Sequence, residues 1–345
     1  MKIVCACDKS ITPDLVMPMK KEFERQGITF QIFDNKALQT SNALTELMLK
    51  TELEGPESVS ADPEFLIIVE DAEIIITHMT VINKAVIDAA PKLKLLATMR
   101  GGCDNINIEY LNQKNITVIN ASWRSAYAVA DFTIGMILSE IKNIARAHHY
   151  LFQGKWEQFY PNHIDKNIHD LRTRTVGIVG FGYIGQRVAK YLSGFDCKII
   201  IHDPFLQPDT ITSQGYKFCS FEDLLEEADI VTIHLRYSEK TKHFMTKKHF
   251  ALMKPTSYLI NTARSGLVEE EALLNALQNN QIQGAAIDVF NVEPLPPDNP
   301  YIKLKNITIT PHMGGISYDT VTNSIEIVFE DLKRYFKGET LQCIV

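Results

Sequence analysis

Three polar residues suited to acid–base chemistry each follow a short apolar run of the sequence. Arg264 follows YLINTA, Glu293 follows GAAIDVFNV, and His312 follows ITITP. Arginine holds a carboxylate through two parallel hydrogen bonds, whereas histidine exchanges a proton near neutral pH. A neighbouring carboxylate orients the imidazole and favours its protonated form. This combination suits the removal of a hydride and a proton from a 2-hydroxy acid, or the reverse reduction.

Each of these residues also has an ordinary structural interpretation. Arg264 suits a surface ion pair, Glu293 a turn before a proline, and His312 a buried histidine with satisfied hydrogen bonds. The three apolar runs, however, have the pattern of strands in a parallel sheet, whose carboxyl ends meet where ligands bind. This shared position favours one catalytic site over three unrelated residues.

A glycine motif earlier in the chain predicts a dinucleotide site. The sequence TVGIVGFGYIG places Gly180, Gly182 and Gly185 after an apolar run and before a helical stretch, with Tyr183 and Ile184 inside the motif. Such glycines allow a tight turn and a close approach of the backbone to a pyrophosphate, which then faces the helix N-terminus.

Asp203 indicates which dinucleotide is bound. It ends the next apolar run, CKIIIHD, where a carboxylate can grip the hydroxyls of an adenosine ribose. Its charge would repel a 2′-phosphate, and Pro204 and Phe205 follow it instead of an arginine. We therefore expect NAD rather than NADP as the cofactor, although a strand-end turn residue is the ordinary interpretation of Asp203 alone.

Apolar, strand-like runs alternate with helical stretches along almost the whole chain. This alternation is typical of parallel sheets covered by helices on both faces. We therefore predict an α/β fold with two domains, for which 345 residues suffice. The predicted strands are 3–7, 73–77, 93–98, 116–120, 175–180, 197–203, 229–235, 257–261, 284–289 and 307–310.

Residues 124–151 interrupt this alternation and are predicted to form one long helix. Apolar side chains cover much of its surface, so it should pack against more than one neighbour. We interpret it as the connector between the domains and as a contact in a homodimer. An ordinary core helix would have the same pattern.

The composition restricts the classes of function and the compartment. A net charge of −7 gives no basic surface for nucleic acid, and no run approaches the ~20 apolar residues of a membrane helix. The N-terminal MKIVCACDKS has too few apolar residues for a signal peptide. The six cysteines form no CxxC pair, so we expect reduced thiols, no bound metal and a cytoplasmic location.

Five motifs in order make the chain similar to the D-isomer-specific 2-hydroxyacid dehydrogenases, in the subgroup around D-3-phosphoglycerate dehydrogenase. They are GFGYIG, the strand-end Asp203, NTARSG, AAIDVFNVEP and TPHMGG, and the resemblance covers nearly the whole chain. It implies that Arg264 binds the substrate carboxylate, that His312 is the acid–base residue, and that Glu293 is its partner.

The resemblance also implies further residues around the cofactor. Asp288 and Gly314 would lie near the nicotinamide carboxamide. Thr262 and Ala263 would line the same site, and His234 would lie close to the dinucleotide.

The architecture implied by the resemblance has two parts. A Rossmann-type doubly wound parallel sheet would bind NAD within residues 122–314. A flavodoxin-like α/β substrate domain would be discontinuous and would comprise residues 1–121 and 315–345.

The expected substrate loop departs from the usual family motif, Arg-x-Gly-x-Gly-x-Asp-Asn. Here the loop reads Arg100-Gly101-Gly102-Cys-Asp-Asn, which is shorter by two residues. We expect Arg100 and the backbone amides of the two glycines to face the substrate. The subgroup commonly carries Arg-Ser after the strand EIII, where this chain has Thr77 and His78, which argues against a phosphorylated substrate.

His78 and Arg124 are further candidates for contact with the substrate. Arg124 and Arg236 could each meet a second anionic or hydroxyl group, whereas surface or hinge salt bridges are the ordinary interpretation.

Two alternative functions are compatible with the sequence. The family includes corepressors, so the chain could be an NADH-responsive binding module without enzymatic activity. The second alternative is a relative that oxidises formate or phosphite, because the glycine-rich loop has no evident dedicated anion site.

Overall fold

The computed structural model describes residues 1–156 and 168–345. It divides into two compact units. Unit 1 comprises Met1–Arg124 and Ser317–Val345, and unit 2 comprises Ser125–Ile316. Each unit is built on one parallel sheet, so the α/β class predicted from the alternating runs is confirmed.

Unit 1 contains a five-stranded sheet in the order β2-β1-β3-β4-β5, which is the strand order of flavodoxin-like folds. Successive side chains of a strand point to opposite faces, so Ile74 and Ile76 join one apolar cluster whereas Ile75 joins the other. The strands are β1 (Lys2–Cys7), β2 (Thr29–Asp34), β3 (Ile74–Thr77), β4 (Leu95–Thr98) and β5 (Thr117–Asn120).

Helices cover both faces of this sheet. Val16, Met19 and Phe23 are the buried residues of α1, and Val328 and Leu332 of the last helix, α13, join the same cluster. The end of the chain therefore completes a core that its first strands begin. The helices are α1 (Pro13–Arg25), α2 (Ser41–Glu54), α3 (Pro63–Ile68), α4 (Lys84–Ala89), α5 (Ile108–Gln113) and α13 (Tyr318–Lys337).

Unit 2 contains a seven-stranded sheet in the order β12-β11-β10-β9-β6-β7-β8. The order reverses beside β6, as in doubly wound Rossmann folds, whose ligands bind at this switch point. The strands are β6 (Thr175–Val179), β7 (Lys198–His202), β8 (Lys217–Phe218), β9 (Ile230–Ile233), β10 (Tyr258–Asn261), β11 (Gly284–Ile287) and β12 (Ile307–Ile309).

Unit 2 has helices on both faces of its sheet as well. They are α6 (Ala126–Ile141), α7 (Ile144–Phe152), α8 (Tyr183–Ser193), α9 (Pro208–Thr212), α10 (Phe221–Glu227), α11 (Lys247–Phe250) and α12 (Glu270–Gln278). Short 3₁₀ turns occur at Lys36–Leu38, Pro56–Ser58, Leu171–Thr173, Ser265–Leu267 and Pro300–Lys303.

The expectation of one helix over residues 124–151 is wrong. Two helices, α6 and α7, are separated by Lys142 and Asn143, and Arg124 lies before the first of them. Asn143 adopts a left-handed conformation with φ 56°. A left-handed residue directly after the last turn ends a helix, and asparagine tolerates this conformation better than most residues.

A buried ion pair stabilises this break. Glu140 is 1% exposed, pairs with Arg146 and accepts a hydrogen bond from Thr308 Oγ1 at 2.6 Å. Arg146 also donates to Asn143 Oδ1 at 3.1 Å and to the carbonyl oxygen of Lys305 at 2.8 Å. Burial raises the pKa of the Glu140 carboxyl, and Arg146 opposes that rise.

Replacing Arg146 with methionine should destabilise the protein by about 3–5 kcal/mol at neutral pH, because Glu140 would stay buried without a cation. A carboxyl whose folded-state pKa is raised binds its proton more tightly when folded, so the loss should shrink on acidification. Urea unfolding at about pH 7.5 and about pH 5.5 measures both effects. Arg25→Met, at an exposed side chain, is the control. Equal losses at both pH values would contradict this account.

Candidate active site

The glycine turn after β6 holds the backbone in a form that side chains would disrupt. Gly180 has φ +97°, and a Cβ atom there would lie 2.8 Å from the carbonyl carbon of His234. A Cβ atom at Gly185 would lie 2.1 Å from the Gly180 carbonyl oxygen. Gly182 faces open space and precedes α8 without a side-chain cap. The N-terminus of α8 therefore follows an open turn, and the positive end of a helix dipole favours an anion there.

Asp203 ties this turn to the end of β7. Its Oδ2 accepts a hydrogen bond from the Phe181 amide at 2.7 Å, and its Oδ1 accepts from the amides of Phe205 and Leu206 at 2.8 and 3.1 Å. The side chain is 7% exposed. Each carboxylate oxygen accepts about two hydrogen bonds, so Oδ2 retains capacity for a ribose hydroxyl.

His234 adds a buried nitrogen beside the turn. Its Nε2 lies 3.0 Å from Thr232 Oγ1, whereas Nδ1 has no hydrogen-bond partner among the described residues. Burial lowers the pKa of His234 to about 3, so the ring is neutral. An unsatisfied buried polar atom is costly, and a polar group of a bound dinucleotide would satisfy it. The open glycine turn, Asp203 and this nitrogen therefore fit NAD.

His312 and Glu293 form a hydrogen-bonded pair. Nδ1 of His312 lies 2.7 Å from Oε2 of Glu293, and Oε1 of Glu293 accepts from the Phe290 amide at 2.9 Å. A carboxylate can only accept, so we assign the Nδ1–H tautomer, which leaves Nε2 for proton exchange. The His312 side chain is 47% exposed, so the interpretation as a buried core histidine is wrong.

Asp288 holds the turn that carries His312. It is fully buried, and its Oδ1 accepts from Thr310 Oγ1 at 2.6 Å and from the Met313 amide at 2.8 Å. Its Oδ2 accepts from the Gly314 amide at 2.7 Å. This carboxylate therefore holds the Thr310 side chain before His312 and the two backbone amides after it. Sequence reasoning missed Thr310, although its position in ITITP, at the strand end, was a signal.

Arg264 follows β10 with its guanidinium exposed. Nη1 donates to the Ala263 carbonyl oxygen at 2.7 Å, and Asn261 Nδ2 donates to the Arg264 carbonyl oxygen at 3.0 Å. No carboxylate of the described residues lies within 4.0 Å of this guanidinium, so the surface ion pair considered from sequence is absent there. The side chain is available to an anionic ligand.

Thr262 and Ala263, which precede Arg264 in the β10 loop, are also held by hydrogen bonds. Thr262 is 5% exposed, and its Oγ1 lies 2.8 Å from Thr133 Oγ1, which donates to the Val129 carbonyl oxygen. The Ala263 amide donates to Asn261 Oδ1 at 3.1 Å. The backbone that leads to Arg264 is thus anchored to α6.

The order of strands in the sheet brings the three candidate catalytic residues to the same edge of the sheet in unit 2. Strands β10, β11 and β12 are adjacent and parallel, and Arg264, Glu293 and His312 follow their carboxyl ends in that order. Neighbouring strands lie about 4.8 Å apart. The predicted clustering of strand ends is therefore observed, with a direct contact between Glu293 and His312.

The expected substrate loop lies in unit 1, after β4. Arg100 is 8% exposed and donates from Nη1 to Asn105 Oδ1 at 3.2 Å. Asn105 in turn donates to the carbonyl oxygens of His78 and Thr80. The amides of Gly101 and Gly102 have no acceptor in the described part of the chain.

His78 and Arg124 lie together in unit 1. Arg124 Nη1 lies 3.4 Å from His78 Nε2, and His78 Nδ1 lies 2.9 Å from Oδ2 of the buried Asp8. Asp8 was not predicted as a functional residue, although an aspartate directly after the strand IVCAC has the strand-end position used to select the others.

The described residues contain neither a metal-binding cluster nor a helix that could span a membrane. No group of three or more His, Cys, Asp or Glu residues in that part of the chain is arranged to hold a metal ion. None of its helices has the length and apolar character needed to cross a membrane.

Comparison with known proteins gives concordant matches. The family model described as D-isomer specific 2-hydroxyacid dehydrogenase, NAD binding domain, matches residues 134–314. A D-3-phosphoglycerate dehydrogenase of Methanocaldococcus jannaschii is 34% identical over 284 residues, or 82% of this chain and 53% of that protein. The match thus spans about half the length of that relative. A glyoxylate reductase of Korarchaeum cryptofilum is 34% identical over 272 residues, or 79% of this chain and 82% of that protein.

A solved structure supports the fold. The NAD-complexed D-isomer specific 2-hydroxyacid dehydrogenase from Lactobacillus delbrueckii ssp. bulgaricus has a TM-score of 0.75 to this chain, with 22% identity and 100% coverage of both chains. At that identity the likeness concerns the fold alone.

Replacing Asp288 with alanine should loosen the turn around His312. The amides of Met313 and Gly314 would lose a charged acceptor, a loss of about 1.5–3 kcal/mol for each hydrogen bond to a charged group. Their hydrogen exchange, measured by mass spectrometry, should become at least about tenfold faster. The amide of Leu259, in the core of β10, is the internal control. Unchanged exchange at Met313 and Gly314 would contradict the positioning role.

Proposed function

We propose, because this chain belongs to the D-isomer specific 2-hydroxyacid dehydrogenase family, that it transfers a hydride between NAD and C2 of a D-2-hydroxy acid. The observation that carries the proposal is the 2.7 Å contact between His312 and Glu293, beside the strand end that bears Arg264. These residues belong to the sheet that also carries the glycine turn.

The proposed steps use each of these residues at a stated atom. In oxidation, the guanidinium of Arg264 holds the substrate carboxylate through two parallel hydrogen bonds. Nε2 of His312 accepts the hydroxyl proton as the C2–H bond breaks, and Glu293 stabilises the resulting imidazolium through Nδ1. Bound at the glycine turn, Asp203 and His234, NAD would supply the acceptor for the hydride that leaves C2. Reduction of a 2-oxo acid reverses these steps, with His312 donating the proton to the carbonyl oxygen.

The residues proposed to hold the cofactor surround the strand ends of unit 2. The glycine turn would receive the pyrophosphate, Asp203 the ribose hydroxyls, and Nδ1 of His234 a polar group of the dinucleotide. The remaining residues of this proposal are Tyr183, Ile184, Thr262, Ala263, Asp288 and Gly314.

The substrate is proposed as a small 2-oxo acid or its D-2-hydroxy acid. Two relatives, by their names, act on glyoxylate and on 3-phosphoglycerate. Arg100 and the amides of Gly101 and Gly102 are the proposed contacts in unit 1, because a buried cation and amides without acceptors suit a carboxylate.

We further propose a cytoplasmic homodimer that binds no nucleic acid. Support for a dimer through the 124–151 region comes from α7 and the residues after it, where Ile144, Leu151, Phe152 and Trp156 are 56%, 55%, 81% and 78% exposed. Light scattering should give about twice the chain mass of 39.1 kDa. The acidic net charge supports the exclusion of nucleic acid.

NADH oxidation with a panel of 2-oxo acids tests the proposed activity. The panel comprises pyruvate, glyoxylate, hydroxypyruvate, 3-phosphohydroxypyruvate and four-carbon 2-oxo acids. Arg264→Ala should lower kcat/KM at least about 100-fold, because a charged hydrogen-bond pair to the substrate is lost. Arg172→Ala, at a 70% exposed side chain of the same unit, is the control.

Three other outcomes would change the proposal. Near-normal kcat/KM in Arg264→Ala would refute the assigned role of that arginine. If NADH binds but no 2-oxo acid of the panel causes NADH oxidation, the result would favour the NADH-responsive binding module. Reduction of NAD by formate or phosphite would favour that branch of the family.

Replacing Asp203 with serine should relax the cofactor preference. The hydroxyl still accepts a hydrogen bond, but the charge that would repel a 2′-phosphate is gone. The ratio of kcat/KM for NADPH over NADH should rise at least about tenfold, or about 1.4 kcal/mol. If the ratio stayed constant while NADH binding persisted, Asp203 would not select the cofactor.

A further inference from the structure

We infer that Arg124, with His78 and Asp8 behind it, forms a site in unit 1 for a second anionic group on the substrate. The inference rests on the proposed function and specifies its substrate class: a 2-oxo acid with a further carboxylate or phosphate. Its residues differ from the glycine amides of the β4 loop, which are the proposed contacts of the substrate's own carboxylate in unit 1.

Asp8 is the most rigidly held residue of this site. Its carboxylate is fully buried and accepts four hydrogen bonds. Oδ1 accepts from the amides of Ser10 and Ile11 at 2.8 and 3.0 Å, and Oδ2 accepts from the Met79 amide at 3.1 Å and from His78 at 2.9 Å. Four donors use the acceptor capacity of a carboxylate, so Asp8 acts on Arg124 through its charge and not through a direct hydrogen bond.

His78 lies between Asp8 and Arg124 and contacts both side chains. The ring is 6% exposed, and its Nδ1 must donate because Asp8 can only accept. Nε2 therefore carries a lone pair toward Arg124 Nη1, 3.4 Å away. Burial lowers the pKa of His78, with opposition from Asp8 and support from Arg124 and Arg100. The neutral ring orients the guanidinium and does not neutralise it.

Arg124 is a partly buried cation that no carboxylate among the described residues contacts directly. Nη1 also donates to the Met99 carbonyl oxygen at 3.1 Å, but no carboxylate of the described residues lies within 4.0 Å of the guanidinium. Burial, with Arg100 nearby and with opposition from Asp8, lowers the pKa of Arg124 to about 10, so it remains charged near neutral pH. Removing a cation from water without a partner is costly, and an anionic ligand would offset that cost.

Arg100 adds to the positive charge of the same region. Its nearest carboxylate, Asp104, lies 3.5 Å from Nη2 and is 50% exposed, so it neutralises Arg100 only weakly. The two guanidiniums and the two carboxylates balance in formal charge, but no carboxylate among the described residues contacts the Arg124 guanidinium directly. Its remaining N–H groups suit a carboxylate or phosphate, both of which arginine binds through paired N–H groups.

The backbone also fixes Arg124 in place. Its carbonyl oxygen accepts from Asn323 Nδ2 of α13 at 3.2 Å, and its amide donates to the Ala121 carbonyl oxygen at 3.1 Å. A guanidinium held at backbone and tip is preorganised for a ligand. A purely structural role would instead make its loss equally harmful for every substrate.

Matched substrates test this inference through a ratio. We compare kcat/KM for 2-oxo acids with a second anionic group (oxaloacetate, 2-oxoglutarate and 3-phosphohydroxypyruvate) with that for neutral counterparts (2-oxobutyrate and hydroxypyruvate). The native protein should prefer at least one anionic substrate by about tenfold or more, and Arg124→Gln should reduce that preference by about tenfold, mainly through KM. Arg124→Lys should restore part of it, because the charge returns without the fork.

The control is Arg25→Gln, at a 77% exposed side chain of the same unit, which should leave the preference unchanged. No anionic preference in the native protein, or an unchanged preference in Arg124→Gln, would overturn the inference. Comparing kcat/KM for the substrates with two carboxylates with that for the phosphorylated substrate identifies which anion the site binds.

A binding measurement separates this inference from the proposed activity. If no 2-oxo acid is reduced, malonate and inorganic phosphate are titrated into the NADH-bound protein by calorimetry. A dissociation constant weakened about tenfold in Arg124→Gln but not in Arg25→Gln would support the site even without turnover. Absence of binding, or equal binding to both variants, would refute it.

Discussion

The buried carboxylate of Asp288 is the interaction on which the site of unit 2 depends. One side chain accepts hydrogen bonds from Thr310, Met313 and Gly314, and these residues surround His312. The imidazole can therefore meet Glu293 from a fixed direction, at 2.7 Å. Asp288 directly follows β11, and the same segment leads to Glu293. The end of a single strand therefore supplies both the carboxylate that holds the turn of His312 and the carboxylate that His312 contacts.

Unit 1 also contains a buried carboxylate at a strand end, but there it orients a side chain instead of a backbone turn. Asp8 follows β1, is fully buried and accepts four hydrogen bonds, one of them from His78. In unit 2 the saturated carboxylate fixes a backbone turn, whereas in unit 1 it fixes the direction of a cation, Arg124. In both units a parallel sheet delivers the carboxylate at a strand end, where side chains converge and ligands are bound.

The sequence predicted the features that are local or periodic. Ten strands were expected from continuous apolar runs, and all ten are present. The two that were missed, β2 and β8, are edge strands, whose partly exposed residues lack the continuous pattern. The strand-end positions of Asp8 and Asp288 are local features. The break at Asn143 and the hydrogen bonds that these two carboxylates accept depend on contacts between segments far apart in the chain, such as Glu140 with Thr308. No local pattern contains that information.

Transfer of deuterium tests the central claim, that His312 takes the proton while C2 gives up its hydride, most directly. The protein is incubated with NAD and the D or L isomer of a 2-hydroxy acid deuterated at C2, and the NADH formed is analysed by mass spectrometry. The account predicts deuterated NADH from the D isomer alone, with the rate reduced at least about 100-fold in His312→Asn and NADH binding retained. Deuterium from the L isomer, or an unchanged rate in His312→Asn, would contradict it.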